Sequence, residues 1–293
     1  MTVAPLGRRA SAYLYRHERV RLAGLLSAPM LWLAVLYLGS LAVMVVSSFW
    51  SVDSFTGALV KQPTGENYRT LVTTEVYRTV ALRTLGVAVG VTLVDLAIGL
   101  PVAFVLGKVV RSRRLRHLLV VLVTMPLWAS YLVKGYAWRL MLSEGGVLDW
   151  VLRPFGLRGP GLGLTATVIA LSYLWLPFMI LPIYAGLERL PDSLLEASAD
   201  LGATAWRTFR LVVAPLLLPA IAAGSIFSFS LTLGDYIMVQ IVGGDTQLFA
   251  NIIYANVGVA GNLPLAAAAT VFPIVVVLLY LAAVRRTGAL ENL

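Results

Sequence analysis

The chain has 293 residues, 59% of them hydrophobic and only 13% charged, with a mean hydropathy of +0.85. No soluble domain can hide that much apolar side chain, so the composition points to a polytopic membrane protein. The formal charge of +9 sits in basic residues clustered beside apolar runs, which argues against nucleic acid as a partner and for membrane lipid; the lack of cysteine excludes disulfides and Cys-ligated metals, and two histidines without an HExxH-like pair offer no metal-site spacing. Six apolar runs, near residues 25–49, 85–107, 118–136, 164–184, 213–233 and 265–284, each approach the length that crosses about 30 Å of hydrocarbon. Backbone groups in lipid must be satisfied within the segment, so all six are expected as helices. The first is too long, and too poor in a small-residue cleavage site, to read as a secretory signal.

Basic residues set the orientation. Arg8, Arg9, Arg16, Arg19 and Arg21 precede span one; Lys108, Arg111, Arg113, Arg114 and Arg116 fill the link between spans two and three; Arg189, Arg207 and Arg210 lie between spans four and five; Arg285 and Arg286 follow span six. The loop 236–264 has no Lys or Arg, and the other outer loops carry few, such as Arg139, Arg153 and Arg158. Both termini and the loop after span four are therefore expected in the cytoplasm. The division is a cytoplasmic segment 1–24, a permease domain 25–284 with a cytoplasmic loop at about 185–212, and a tail 285–293.

In chain order, the outer loop 51–83 is expected as an irregular cap. Asp95 falls near the middle of span two, where an ionisable group costs roughly 2.5–3.5 kcal/mol on insertion scales. It can bind a cation in a translocation path, or pair with a polar group on a neighbouring helix, Lys134 being one candidate. Gly86, Gly90 and Ala97 in this span, with Ala222, Ala223 and Gly224 in span five, permit close helix packing. Trp128, Tyr131, Tyr136 and Trp138 mark span three, and Tyr173, Trp175 and Phe178 span four. Tyr136 and Trp138 fit interface anchors, whereas Trp128, Tyr173 and Trp175 lie deeper and can line a path, holding an amine on their ring faces.

Between spans four and five runs 191–203, expected to form a short helix outside the membrane. Ser193 and Glu196 have capping-box spacing at its start, and Gly202 supplies the stop. In span five, Ser225, Ser228, Thr232 and Asp235 fall on one helical stripe. A stripe ending in a carboxylate can pass a hydrated or cationic solute; equally, the hydroxyls can bond back to carbonyls four residues earlier, although that leaves the charge of Asp235 unexplained. The apolar stretch 248–259 is expected as a short helix. There is no internal repeat of the kind found in secondary transporters. There is also no GxxxxGK[ST] loop, so ATP hydrolysis belongs to another polypeptide and this chain is not itself an enzyme.

Glu196-Ala197, Gly202 six residues on, Val212 and Pro215 nineteen residues after the glutamate resemble the EAA loop of ABC-importer permeases. Trp206 and Phe209 stand where members often carry aromatics, and Ser198 replaces the second alanine of the motif. Residues 125–138, 173–182 and 230–236 are similar to the permeases of spermidine/putrescine importers, most closely the first of the two in such systems. The resemblance implies a type I ABC-importer permease fold in the bacterial inner membrane, five core helices plus one N-terminal helix. It implies that Glu196, Ala197, Asp200, Gly202, Ala203 and Pro215 belong to a coupling element that fits an ATPase. The implied partners are a second permease, two ATPase subunits carrying ATP and Mg, and an extracytoplasmic binding protein; this chain itself is expected to hold no cofactor. Polyamine is the implied cargo, with an aminophosphonate, ferric ion or other small solute as alternatives.

Overall fold

The computed structural model describes residues 18–53 and 55–285, so Arg8, Arg9, Arg16, Arg286 and the tail beyond residue 285 lie outside the described residues. Helix α1 (Glu18–Leu33) passes through a π-turn at Ala34–Leu38 into α2 (Gly39–Ser47). The apolar stretch Gly24–Ser47 is long enough to cross a membrane and none of it is buried by the rest of the chain. Near its end the Thr270 hydroxyl meets Met44 Sδ at 3.1 Å.

The first outer loop is more regular than its composition implies. Strands β1 (Ser51–Val52) and β2 (Leu59–Val60) pair antiparallel, Ser51 opposite Val60 and Val52 opposite Leu59. Asp53 closes their turn by accepting the N–H groups of Phe55 and Thr56 at 2.9 and 2.8 Å. Helix α3 (Glu66–Thr73) is tied back by Asn67, whose amide donates to the carbonyls of Ser48 and Trp50 at 2.8 and 2.7 Å. Helix α4 then starts at Glu75 and not near residue 85, running to Phe104 and through a π-turn at Val105–Val109. Glu75 in its first turn lets the polar stretch remain helical, because a carboxylate stabilises the positive end of a helix.

The third span is not one helix. Helix α5 (Arg113–Trp128) and α6 (Tyr131–Leu142) meet at a break, and the line turns by 96°. Pro126 sits in the last turn of α5, where it lacks the N–H that the helix needs, and Ala129 and Ser130 are extended. The carbonyl of Pro126 accepts from Lys134 Nζ at 3.0 Å across the break. The described residues therefore hold five continuous helices long and apolar enough to cross a membrane, or six if the bent pair is counted as one span.

A short α7 (Val147–Leu152) leads to α8 (Leu164–Arg189). Two further short helices, α9 (Asp192–Asp200) and α10 (Ala205–Thr208), precede a π-turn at Phe209–Val213 and α11 (Ala214–Gly234). Helix α12 (Ile237–Val242), the expected short helix α13 (Phe249–Gly258) and α14 (Leu263–Arg285) complete the chain.

Helices α4, α8 and α11 pack on one another and form the centre. Gly224 explains the closeness of α8 and α11: a Cβ there would stand 2.9 Å from Met179 Sδ and 3.1 Å from Met179 Cα. Gly86 and Gly90 have open space around them and pack against nothing, so the small-residue contact expected of α4 is made lower down, by Gly99 against Met179 and Gly107 against Leu187. Around these contacts Ala103, Ile183, Leu187, Val213 and Leu217 form one buried cluster at the end nearest α9. Val91, Leu171, Leu174, Met238 and Val242 form a second at the opposite end.

Candidate functional site

At one end of the bundle, α9 and α10 form the element on which a partner can seat. The capping box expected from Ser193 and Glu196 is not formed. Helix α9 starts two residues earlier, with Pro191 as N-cap, and proline has no side-chain acceptor to offer. Ser193 is thus already inside the first turn. Asp192 instead pairs with Lys108, whose Nζ stands 2.6 Å from Oδ1 and 2.7 Å from the Leu190 carbonyl. The hydrogen bond and charge of Lys108 hold the Asp192 carboxyl below the usual carboxylate range.

The stop is as expected. Gly202 has φ +74°, its N–H bonds the Ala199 carbonyl at 2.8 Å, and the Ala203 N–H reaches back to Ser198 at 3.1 Å. This pair of bonds is the Schellman cap. Ser198 makes use of its hydroxyl, which shares a 2.8 Å bond with Thr208 and joins α9 to α10. Glu196, Ala197 and Asp200 are exposed on α9, and Pro215 sits in the first turn of α11. Leu201 and Trp206 are 88% and 69% exposed, and the Trp206 ring stacks on Phe209.

At the other end of α11 lies a cleft of about 290 Å³ lined by Tyr131, Trp175, Ser230, Asp235 and Tyr236. Asp235 follows the last residue of α11; its Oδ1 accepts the Met238 N–H at 3.0 Å and so caps α12, while Tyr131 donates its hydroxyl to Oδ2. Among the described residues Asp235 has no ion pair, so a buried carboxyl lines the cleft with hydrogen bonds but no cation. Such a charge is costly unless a cation arrives to meet it. Trp175 Nε1 and Ser230 Oγ are buried here without a hydrogen-bond partner.

The other stripe residues are turned inward. Ser225 accepts from Tyr280 on α14 at 2.7 Å and donates to the Ala222 carbonyl, and Thr232 bonds back to Ser228. Ser228 donates to Asp95 Oδ2 at 2.5 Å, tying α11 to α4. Lys134 is not the partner of Asp95, being engaged at Pro126. Asp95 is 0% exposed; its Oδ1 has no partner, and the Ser172 hydroxyl beside it stops short of hydrogen-bond geometry. Tyr173 packs edge-on against Trp138 at 5.2 Å within the core, so Trp138 is an internal contact and not a surface anchor, whereas Tyr136 is exposed. Trp128 is 88% exposed at the break and is not brought to the cleft. The structure thus gathers Asp235, Trp175 and Tyr131, leaves Asp95, Ser225, Ser228 and Thr232 in the helix packing, and adds Ser230 and Tyr236, which periodicity on the stripe passes over.

Asparagine at position 95 can accept from Ser228 and donate to Ser172, so it satisfies both open positions without a buried charge. Asp95→Asn is expected to raise the thermal stability of the purified protein by about 1 kcal/mol or more. A lower melting temperature in detergent would show that the charge is compensated.

The site thus consists of a capped helix held between two spans at one end of a helical membrane bundle, with an acid-bearing cleft at the far end. The sequence pattern of the "binding-protein-dependent transport system inner membrane component" matches residues 99–287, and the chain belongs to that family as a multi-pass inner-membrane protein. It is 42% identical to the inner membrane ABC transporter permease protein YdcU of Escherichia coli (strain K12), over 97% of this chain and 95% of that one. It is 30% identical to the spermidine/putrescine transport system permease protein PotB of the same organism, over 89% of this chain and 95% of that one. A bacterial alginate ABC transporter solved with a periplasmic protein bearing an alginate pentasaccharide has a chain of the same fold, with TM-score 0.71 and 17% identity over 92% of this chain and 95% of that one.

Proposed function

We propose that this chain forms half of the path by which an ATP-driven importer takes up small organic cations of the polyamine class. The observation that carries the cargo is the Asp235 carboxylate, held by Tyr131 and the start of α12 in an aromatic cleft and matched by no cation of its own. Tyr131 and Trp175 present ring surface beside it, which favours a cation further. The PotB relatives, named for spermidine and putrescine, support the same class.

A second permease completes the path, two ATPase subunits carrying ATP and Mg seat on α9 and α10, and an extracytoplasmic binding protein delivers solute to the outer loops. Glu196, Ala197, Asp200, Gly202 and Ala203 form the contact that passes the closure of the ATPase pair into α8 and α11, with Pro215 starting the latter. The path then opens outward toward the cleft, and hydrolysis returns it to face the cytoplasm.

A second reading keeps the importer and changes the solute. Trp175 Nε1 and Ser230 Oγ are unpartnered, and a fully protonated polyamine has no acceptor to give the indole N–H. An amine that also carries an oxyanion, such as an aminophosphonate, meets both groups.

The test is uptake of labelled putrescine and spermidine in cells without their own polyamine importers, expressing this chain with its neighbouring genes. Saturable uptake that unlabelled aminophosphonate does not displace is expected. Absence of polyamine uptake, with an ATPase co-purifying on a tagged permease, overturns the cargo and retains the importer.

A further inference from the structure

The link between α4 and α5 grips the corner where α8 turns into α9. Lys108, in the π-turn after α4, lays a side chain only 11% exposed along this corner and places its ammonium between the Leu190 carbonyl and Asp192 Oδ1, at 2.7 and 2.6 Å. These acceptors straddle Pro191: one is the C-cap of α8, the other the first residue of α9. The approach is close because residue 107 is glycine, where a Cβ would lie 3.0 Å from Leu187 Cβ. A second contact from the same link reinforces the first. Arg116 at the start of α5 lies 3.7 Å from Glu188, which also accepts from Tyr184, and its guanidinium donates to the Val110 carbonyl at 2.9 Å.

Helix α9 is joined covalently to α8 through Leu190 and Pro191, and to α11 through α10. Helix α4 has no such continuity with it, yet α4 packs along both α8 and α11 and holds Asp95 against Ser228. Among the described residues, the polar link from α9 to the end of α4 is the one Lys108 makes, beside the apolar contact of Leu195 with the cluster that holds Ala103 and Leu106. Asp192 is 76% exposed, which weakens the ion pair through solvent screening, but the bond to the Leu190 carbonyl is partly buried and the two acceptors together fix the direction of the ammonium.

We propose that Lys108 is a positioning residue that makes α4 move with the docking helix, so that three spans and not two respond to the ATPase. This rests on the reading of α9 as the docking element. Lys108 touches neither solute nor nucleotide. Its loss therefore lowers the rate at which the path turns over, while leaving recognition at the cleft as it was.

The experiment uses the assembled importer in proteoliposomes with its binding protein, labelled putrescine as probe, and uptake and ATP hydrolysis read in parallel. Lys108→Met is expected to lower the maximal uptake rate by about tenfold, the loss of one charged hydrogen bond. KM, ATPase assembly and ATP hydrolysis without binding protein stay unchanged, and Lys108→Arg, which keeps the charge and the donors, restores most of the rate. Asp192→Asn, an exposed change that removes one acceptor charge, is expected to lower the rate in the same direction by a smaller factor. It carries the test if Lys108→Met fails to assemble. A wild-type maximal rate in the assembled variants overturns the proposal, as does a loss that appears in KM. Gly202→Val in the same assay separates the two levels. If it abolishes uptake while the Lys108 and Asp192 variants are normal, only the role of Lys108 falls; if it too is normal, the docking reading falls with it.

Discussion

Gly202→Val is expected to reduce solute uptake by about tenfold or more while the protein still inserts in the membrane and accumulates normally. The reason is backbone geometry and not lack of room. Residue 202 has φ +74°, and nothing lies within 4 Å of the position a Cβ would occupy. A β-branched residue in that left-handed conformation costs roughly 1–2 kcal/mol, and relief comes only by releasing the cap. Release frees the bonds from Gly202 to Ala199 and from Ala203 to Ser198, and with them the position of Leu201 and Trp206 at the surface. Gly202→Trp suffers the same strain, whereas Gly202→Asn, which tolerates this conformation, should keep most of the activity. Uptake and membrane abundance measured on the three variants decide the matter. Normal uptake by Gly202→Val would remove the capped end of α9 from the coupling element.

Asp235→Asn is expected to raise the KM for putrescine about tenfold, with ATPase co-purification unchanged. The substitution is close to isosteric. Asparagine keeps an oxygen for the Met238 N–H, so the cap on α12 survives, and its amide can donate to the Tyr131 hydroxyl. What it removes is the charge, and among the described residues no ion pair accounts for that charge. Asp235→Glu keeps the charge and should lie between the two. Uptake kinetics identical to wild type in Asp235→Asn would leave Asp235 as a helix cap and take it out of the path.

The bundle was legible because each span carries its own signal. A long apolar helix must satisfy its backbone internally, and five of the six expected spans are continuous helices. The third run, 118–136, carried the same apolar signal, yet hydropathy does not register that Pro126 removes a donor where Ala129 and Ser130 already leave the helix. The loop 191–203 was legible at its C-terminal end, where Gly202 acts through its own backbone. It was misread at the other end, since Ser193 and Glu196 have the right spacing but the helix begins at Asp192. The partner that Asp192 meets there lies 84 positions away: Lys108, which in sequence is one more basic residue beside a span. The same limit applies to the polar stripe. Its periodicity located Ser225, Ser228, Thr232 and Asp235 on one face, but only packing decides that Ser228 meets Asp95, 133 positions earlier, and that Asp235 meets Tyr131.

The break at the end of α5 bears on the bilayer itself. Sixteen residues of helix reach about 24 Å, some 6 Å short of a typical hydrocarbon layer. Ala129, Ser130 and the first turn of α6 cannot make up that distance against lipid tails, because their backbone groups need water or protein. A bilayer that met this face directly would have to thin, at a cost of a fraction of a kcal/mol for each ångström, and would bring headgroup water toward the level of Tyr131. On the proposed reading, a charged solute would then enter the cleft from a wet vestibule and shed its hydration only where Asp235 can replace it.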